Sequence, residues 1–188
     1  MPAATTNNES GYALFDTAIG RCAIAWRGGL VVGAALPGAG VERRFVGLER
    51  TAPPPFAQAA IDRVVRLLAG ETEDLSDIPV SFGEAPEFDR GVWKATRRIP
   101  RGEVRSYGEL AAELGSPRAA QAVGMALGRN PVPIIVPCHR VLASGGRSGG
   151  FSAPGGVATK FRILAIEQAR RPAESGLFAD LPLAVKPA

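Results

Sequence analysis

The residues best able to do chemistry lie in Asn130-Pro-Val-Pro-Ile-Ile-Val-Pro-Cys-His-Arg-Val141, an apolar run hemmed by Pro131, Pro133 and Pro137. It delivers Cys138, followed at once by His139, the sole histidine of the chain, and Arg140. A cysteine in such a stiff, buried run is ordinarily inert filler. A neighbouring cation or base changes that, because it favours thiolate, the nucleophilic form. Successive residues of an extended segment point to opposite sides, so His139 reaches Cys138 only through a local bend or a bridging water. The imidazole also needs an orienting acid. Glu167 is the candidate, in a helix expected over Val157 to Arg170, four and three residues after Ile163 and Leu164 and so at the edge of the apolar stripe. A carboxylate there would fix the imidazole tautomer and complete a Glu-His-Cys relay. By spacing alone, an ordinary helix-surface glutamate is the plainer reading.

The elements that must hold these groups are readable upstream. Ser106-Tyr-Gly-Glu109 has capping-box spacing, and Leu110 and Leu114 give a short helix its stripe before Gly115 closes it. Ser116-Pro117 predicts the start of a second helix running to about Gly128, with Ala120, Val123 and Leu127 inward. Arg118, Gln121, Ala122 and Met125 would be outward, with Ala119 nearby, and the mid-helix Gly124 suggests close packing. Two helices on one tight turn form a helix-turn-helix candidate. Most such pairs are only structural, and the basic surroundings are what bring DNA into consideration. Earlier, Cys22-Ala-Ile-Ala-Trp26 and Leu30 to Leu36, joined at Arg27-Gly28-Gly29, read as a hairpin. Pro53 to Leu68 reads as a covering helix with Phe56, Ala60, Val64 and Leu67 inward, and Pro86 to Arg98 as another with Phe88, Val92 and Ala95 inward.

Composition narrows the function classes. With 188 residues the chain can bury one moderate core or two small ones. Residues 71 to 89 carry seven acids and no base, whereas residues 90 to 150 carry ten bases against Glu103, Glu109 and Glu113. Such asymmetry fits a polyanion-binding half, and on charge alone an ordinary arginine-rich surface fits equally well. The N-terminus lacks a basic start and apolar run, and no stretch reaches bilayer-spanning length, so the protein is expected to be soluble, cytoplasmic and without a membrane partner. Only Cys22 and Cys138 occur, in different contexts, so reduced thiols are expected; with one histidine no metal site is expected, and no cofactor. Cys22, Trp26 and Trp93 read as packing residues. The glycines from 145 to 156 lack the lysine of a phosphate loop.

Ile134-Ile-Val-Pro-Cys-His-Arg-Val141, preceded by Ser106-Tyr107 and Asn130-Pro131 and followed by a glycine-rich loop and Glu167, resembles the O6-alkylguanine-DNA alkyltransferases (methylated-DNA-protein-cysteine methyltransferases). The resemblance is strongest from about Phe88 to Gln168. It implies a single-turnover, irreversible transfer of an alkyl group from O6 of guanine in double-stranded DNA, with O4-alkylthymine as an open second substrate, to Cys138. His139 and Glu167 would activate that thiol through a water, Asn130 would brace the turn, and Tyr107 would sit at the O6 atom. The carbonyls of Cys138 and Val141 would hold the guanine edge, in a pocket including Pro137, Phe151 and Ser152. The second helix would enter the minor groove and flip the base. DNA contacts would come from Arg118, Ala119, Ala120, Gln121 and Ala122, with Arg105, Ser106 and Arg140 alongside. A monomer on the nucleoid is expected if the source is prokaryotic.

Two departures matter. Where the family usually places an arginine that fills the space left by the flipped base, this chain has Gln121, which keeps open an alternative: a lesion-binding alkyltransferase-like protein with weak or altered transfer. The pocket loop, aromatic-Ser-Gly-Gly in the family, becomes Phe151-Ser152-Ala153-Pro154-Gly155-Gly156, two residues longer and without a phenol hydroxyl. A cysteine hydrolase and a plain helix-turn-helix regulator are the rivals from other classes. Repeated turnover would mark the first and binding without covalent change the second. The expected fold is α+β: a disordered lead (1–11), an N-terminal sheet-and-helix domain (12–85), a mostly helical, winged-helix-like DNA-binding and catalytic domain (86–170) and a tail (171–188).

Overall fold

A computed structural model describes residues 10–144 and 149–169. Of the expected lead, Ser10 and Gly11 already belong to a strand; the rest of it, the tail, and residues 145–148 of the glycine-rich stretch lie outside the described residues. The fold is α+β. Strands β1 (Ser10–Thr17), β2 (Gly20–Arg27) and β3 (Leu30–Ala35) form an antiparallel sheet in the order β1-β2-β3. Gly28 and Gly29, at φ 56° and 82°, make the tight β2–β3 turn, whose two positive-φ positions glycine fills without strain. The central strand is buried on both faces: Cys22, Ile24 and Trp26 join the main core, while Ala23 and Ala25 pack with Ala35 and Phe45.

Each edge of the sheet takes backbone bonds from elsewhere in the chain. On β1, the Tyr12 N–H donates to Glu49 O and its carbonyl accepts from Thr51 N. On β3, the Val31 N–H donates to Pro79 O and the Ala34 N–H to Pro131 O, both at 2.9 Å. The second of these bonds ties the sheet directly to the proline-rich run that carries Cys138. Helix α1 (Pro55–Leu68) lays Ala57, Ala60, Ile61, Val64 and Leu67 into the core. The acidic stretch after it is held against the helices. Arg63 pairs with Glu73 and Asp77, Arg66 with Glu73, and Arg97 donates to the carbonyls of Ser76 and Ile78.

Helix α2 (Glu87–Arg97) buries Val92, Trp93 and Ala95, but Phe88 stays 37 % exposed and Asp89 takes the inward place, paired with Arg129 at 2.7 Å. Its Trp93 indole donates to Ala126 O across the core. Strand β4 (Arg105–Ser106) leads into α3 (Tyr107–Glu113), and the Ser106–Glu109 capping box is formed in both directions. Helix α4 (Ala120–Gly128) begins later than Ser116-Pro117 suggested. Residues 116–119 spend their first bond on a turn, Ala119 N to Ser116 O at 2.8 Å, so no side chain caps the helix. Strand β5 (Val141–Leu142) pairs parallel with β4, and α5 (Gly156–Ile166) is the last helix among the described residues, with Arg162 donating back to Ala18 and Ile19 O in the β1–β2 turn.

One core joins the two halves: Ile24, Trp26 and Leu67 belong to the same packed cluster as Trp93, Val123, Ile135 and Ile163. Ile134 lies at its centre with φ 74°, a costly conformation for a β-branched residue at about 1–3 kcal/mol. Its side chain is buried, which returns roughly as much, about 1.5–3 kcal/mol. Among the described residues, no helix is long and apolar enough to cross a membrane.

Candidate active site

The Pro-Cys-His-Arg segment does bend. Pro137, at φ −79° and ψ 63°, turns the chain into a 3-10 turn over Cys138–Arg140, so the side chains of 138 and 139 do not alternate as they would in a strand. Asn130 braces this bend from within: its Nδ2 donates to Val136 O at 2.9 Å and its Oδ1 accepts from Val132 N at 3.0 Å. The parallel β4–β5 pair, Arg105 against Val141 and Ser106 against Leu142, then sets the start of α3 beside the turn. Cys138 and Tyr107 consequently line the same cleft of about 540 Å³, together with Gln121, Gly124 and Met125 of α4 and Phe151 and Ser152 of the loop before α5.

Behind Cys138 is a buried polar cluster. His139 Nε2 meets Glu167 Oε1 at 3.1 Å, with both side chains fully enclosed. Because the carboxylate can only accept, Nε2 carries the hydrogen and Nδ1 keeps a lone pair. Nδ1 is buried and, among the described residues, has no hydrogen-bond partner, so it is the one ring nitrogen left for a proton. Burial pushes His139 below the ordinary imidazole value, against the pull of Glu167, and thus keeps it neutral. Burial opposes the charge of Glu167 too, but His139 and Arg140 prevail and hold it at about 2.

Arg140 corrects an expectation. It is 7 % exposed, with Nε and Nη2 donating to Glu167 and Nη1 to Ile99 O. A guanidinium so engaged cannot reach a phosphate; it holds the carboxylate. Arg105 is half-buried and paired with Glu103, and the Ser106 hydroxyl serves as the α3 cap. Arg118, by contrast, is exposed and, among the described residues, has no carboxylate partner. Gln121 is exposed and lines the cleft, as does half-buried Ala120; Ala122 on the same helix and Ala119 just before it are half-buried. The surplus of basic residues is largely spent inside the fold, since Arg97, Arg98, Arg101, Arg105, Arg129 and Arg140 all bind carbonyls or carboxylates of the chain.

Pro137 and Val141 are buried and do not line the cleft, in contrast to Phe151 and Ser152. The Val141 carbonyl is held by Lys160 Nζ at 2.6 Å, and the Cys138 carbonyl accepts from the Val141 N–H. Each oxygen retains a second lone pair.

Lys160 is the residue that sequence reasoning missed. It is fully buried on α5, its Nζ 5.7 Å from the centre of the Tyr107 ring and 5.9 Å from that of Phe151. Burial lowers it to about 8, with Cys138 pulling the other way. The signal was present: Lys160, Ile163, Leu164 and Glu167 stand at i, i+3, i+4 and i+7, one helical face. Cys138 itself, 9 % exposed, is pushed above the ordinary thiol value by burial. A hydrogen bond from Asn130, the charge of Lys160 and the N–H groups of residues 138 and 139 pull it back in part. The resting sulfur is therefore a thiol placed among groups that favour its anion. Cys22 is buried in the core and pushed up to about 11 by desolvation, with only the Thr17 hydroxyl pulling the other way.

Residues 87–169 match the family model described as the 6-O-methylguanine DNA methyltransferase, DNA binding domain. A methylated-DNA-protein-cysteine methyltransferase of Mycolicibacterium paratuberculosis is 38 % identical over 167 residues, covering 89 % of this chain and 98 % of that protein. One of Mycobacterium tuberculosis is 42 % identical over 128 residues, 68 % of this chain and 75 % of the relative. The crystal structure of Mycobacterium tuberculosis OGT in complex with DNA superposes with a TM-score of 0.72 at 36 % identity, covering 87 % of this chain and 96 % of that one.

Proposed function

The chain belongs to the methylated-DNA-protein-cysteine methyltransferase family, and from that premise we propose that it repairs DNA by direct reversal, taking an alkyl group from O6 of guanine onto Cys138. The observation that carries this reading is the opening of Cys138 into a cleft bounded by α4 and Tyr107, with a neutral His139 held by Glu167 behind it.

The step balances simply. The Cys138 proton leaves by way of His139 Nδ1, through a water, and Lys160 with the turn's N–H groups steadies the sulfur anion. Sulfur attacks the saturated carbon on O6, the S–C bond forms, and the C–O6 bond breaks with its electron pair going to the purine. The purine takes up one proton and is guanine again. Tyr107, whose hydroxyl burial keeps protonated, donates a hydrogen bond to the departing oxygen. Because O6 lies in the base stack, the nucleotide must leave the duplex at a cost of a few kcal/mol. Gln121, exposed on α4 at the cleft, occupies the space it vacates, and Arg118 neutralises phosphate. The product is a thioether that thiol exchange does not cleave, so each molecule acts once. Residues 12–85 serve as support and 86–170 as the DNA-binding and chemical unit, working in the cytoplasm.

The test is intact-protein mass spectrometry after mixing with a duplex containing O6-methylguanine. Wild type gains one CH2 of mass, confined to the Cys138 peptide, and Cys138→Ser gains none. Repeated turnover, or binding with no gain of mass, would sink the reading.

A further inference from the structure

The loop that carries Phe151 and Ser152 to the cleft is fastened at several points. Gly149, at φ +58°, lies so close to Tyr107 that a Cβ there would meet its hydroxyl at 2.7 Å. The Ser152 hydroxyl donates to Gly128 O at the end of α4, and Thr159 donates to Pro154 O at 2.9 Å. The remaining fastening comes from the other half of the molecule. Gly38, just beyond β3, faces the Pro154 ring so closely that a Cβ on it would come within 2.6 Å of the Pro154 Cβ. Nothing at that contact is the yielding end of a long side chain; a rigid ring lies on bare backbone. The Gly38 side is anchored as well, since Leu36 is buried in the core and Pro37 abuts Gly20, where an added Cβ would meet it at 3.0 Å. Ala153, beside Pro154, is half-buried against the same core.

We infer that Pro154 is a specificity-determining latch: seated on Gly38, it ties the Phe151 side of the alkyl pocket to the N-terminal sheet and so sets the size of alkyl group that Cys138 accepts. A pocket wall is selective only if it cannot retreat. This wall is restrained on one side by α4 and on the other by the sheet through Pro154, while its middle, Phe151, faces the sulfur's cleft. Of the two residues that lengthen the loop beyond the family pattern, Pro154 is the one that meets Gly38. Pro154 touches no reacting atom; it acts through Phe151 as a positioning residue.

The inference rests on the alkyl-transfer reading, and its test separates the two. Rates of Cys138 modification are measured by mass on duplexes carrying O6-methylguanine or O6-benzylguanine, for wild type, Pro154→Gly and Gly38→Val. Freeing the wall raises the benzyl-to-methyl rate ratio about threefold or more in Pro154→Gly, with the methyl rate within about twofold of wild type. Gly38→Val, which pries the ring off the sheet, moves the ratio the same way. A ratio unmoved or lowered in Pro154→Gly, whatever its melting temperature, overturns the latch alone. A wild type that takes up no methyl group overturns the transfer reading and the latch with it. Should Gly38→Val fail to fold, Pro154→Gly decides by itself.

Discussion

A single carboxylate, Glu167, is shared by an imidazole and a guanidinium inside the protein, and this arrangement makes testable demands on pH. A glutamate held at about 2 rather than 4.5 contributes on the order of 3 kcal/mol, present in full above pH 4.5 and lost as pH falls toward 2. His139, lowered in the fold, loses stability in the same direction as pH drops below its ordinary 6.5. Thermal unfolding should therefore weaken steadily on the acid side, and Glu167→Gln should flatten that limb while lowering the melting temperature at neutral pH; an acid limb of unchanged slope would contradict the account. Lys160 leads to a second expectation. Its charge lowers the Cys138 thiol, so Lys160→Met should displace the pH profile of Cys138 alkylation by iodoacetamide upward, with about a tenfold loss of rate per unit at fixed pH. An unshifted profile would remove Lys160 from the site. Cys138 and His139 stood out because a cysteine beside the only histidine is rare company. Glu167 read by spacing alone as an ordinary surface glutamate and gained its role only through the family resemblance, whereas a lysine and an arginine within apolar runs read as surface until burial shows what they face.

At the scale of elements, the cleft depends on how α3 and α4 are started. α3 has its capping box, readable directly from Ser106 and Glu109, and Ser106→Ala should cost about 1 kcal/mol in denaturant unfolding. α4 has no side-chain cap, and Ser116-Pro117 misled because a cap signal counts only if the next residues continue as helix; here they close a turn first. The outward face of α4 was legible from its spacing, with Met125 57 % exposed and Val123 and Leu127 buried. Its Gln121 is the natural place to probe the nucleic-acid contact. Gln121→Arg should tighten binding to duplex DNA and steepen its salt dependence by about one unit of log–log slope. An unchanged slope would place position 121 away from the phosphates. The β4–β5 pair escaped notice for a different reason: two residues per strand, brought together from 36 positions apart, leave no periodic trace in sequence.

On the scale of the whole molecule, one continuous core predicts one transition. Trp26 belongs to the N-terminal half and Trp93 to the C-terminal half, and both are buried in the same cluster. Trp26→Phe and Trp93→Phe each leave one fluorophore, and on denaturation the two should report coincident midpoints after correction for the variants' stabilities. Separate midpoints would mean that the halves unfold independently. The α+β class and the order of the helices could be read from hydrophobic spacing and from glycine and proline punctuation. That Pro131 would bond to β3, or Pro154 lie on Gly38, could not, because such contacts depend on shape rather than on pattern. The covered margins of the sheet carry a last consequence. A protein consumed by its own reaction has to be stocked in numbers, and crowded copies invite strand-to-strand zippering wherever a ladder is left open. Here Glu49 and Thr51 on one flank, and Pro79, Ser81 and Pro131 on the other, already take the rungs at Tyr12, Val31 and Ala34, which leaves a second copy fewer places to pair.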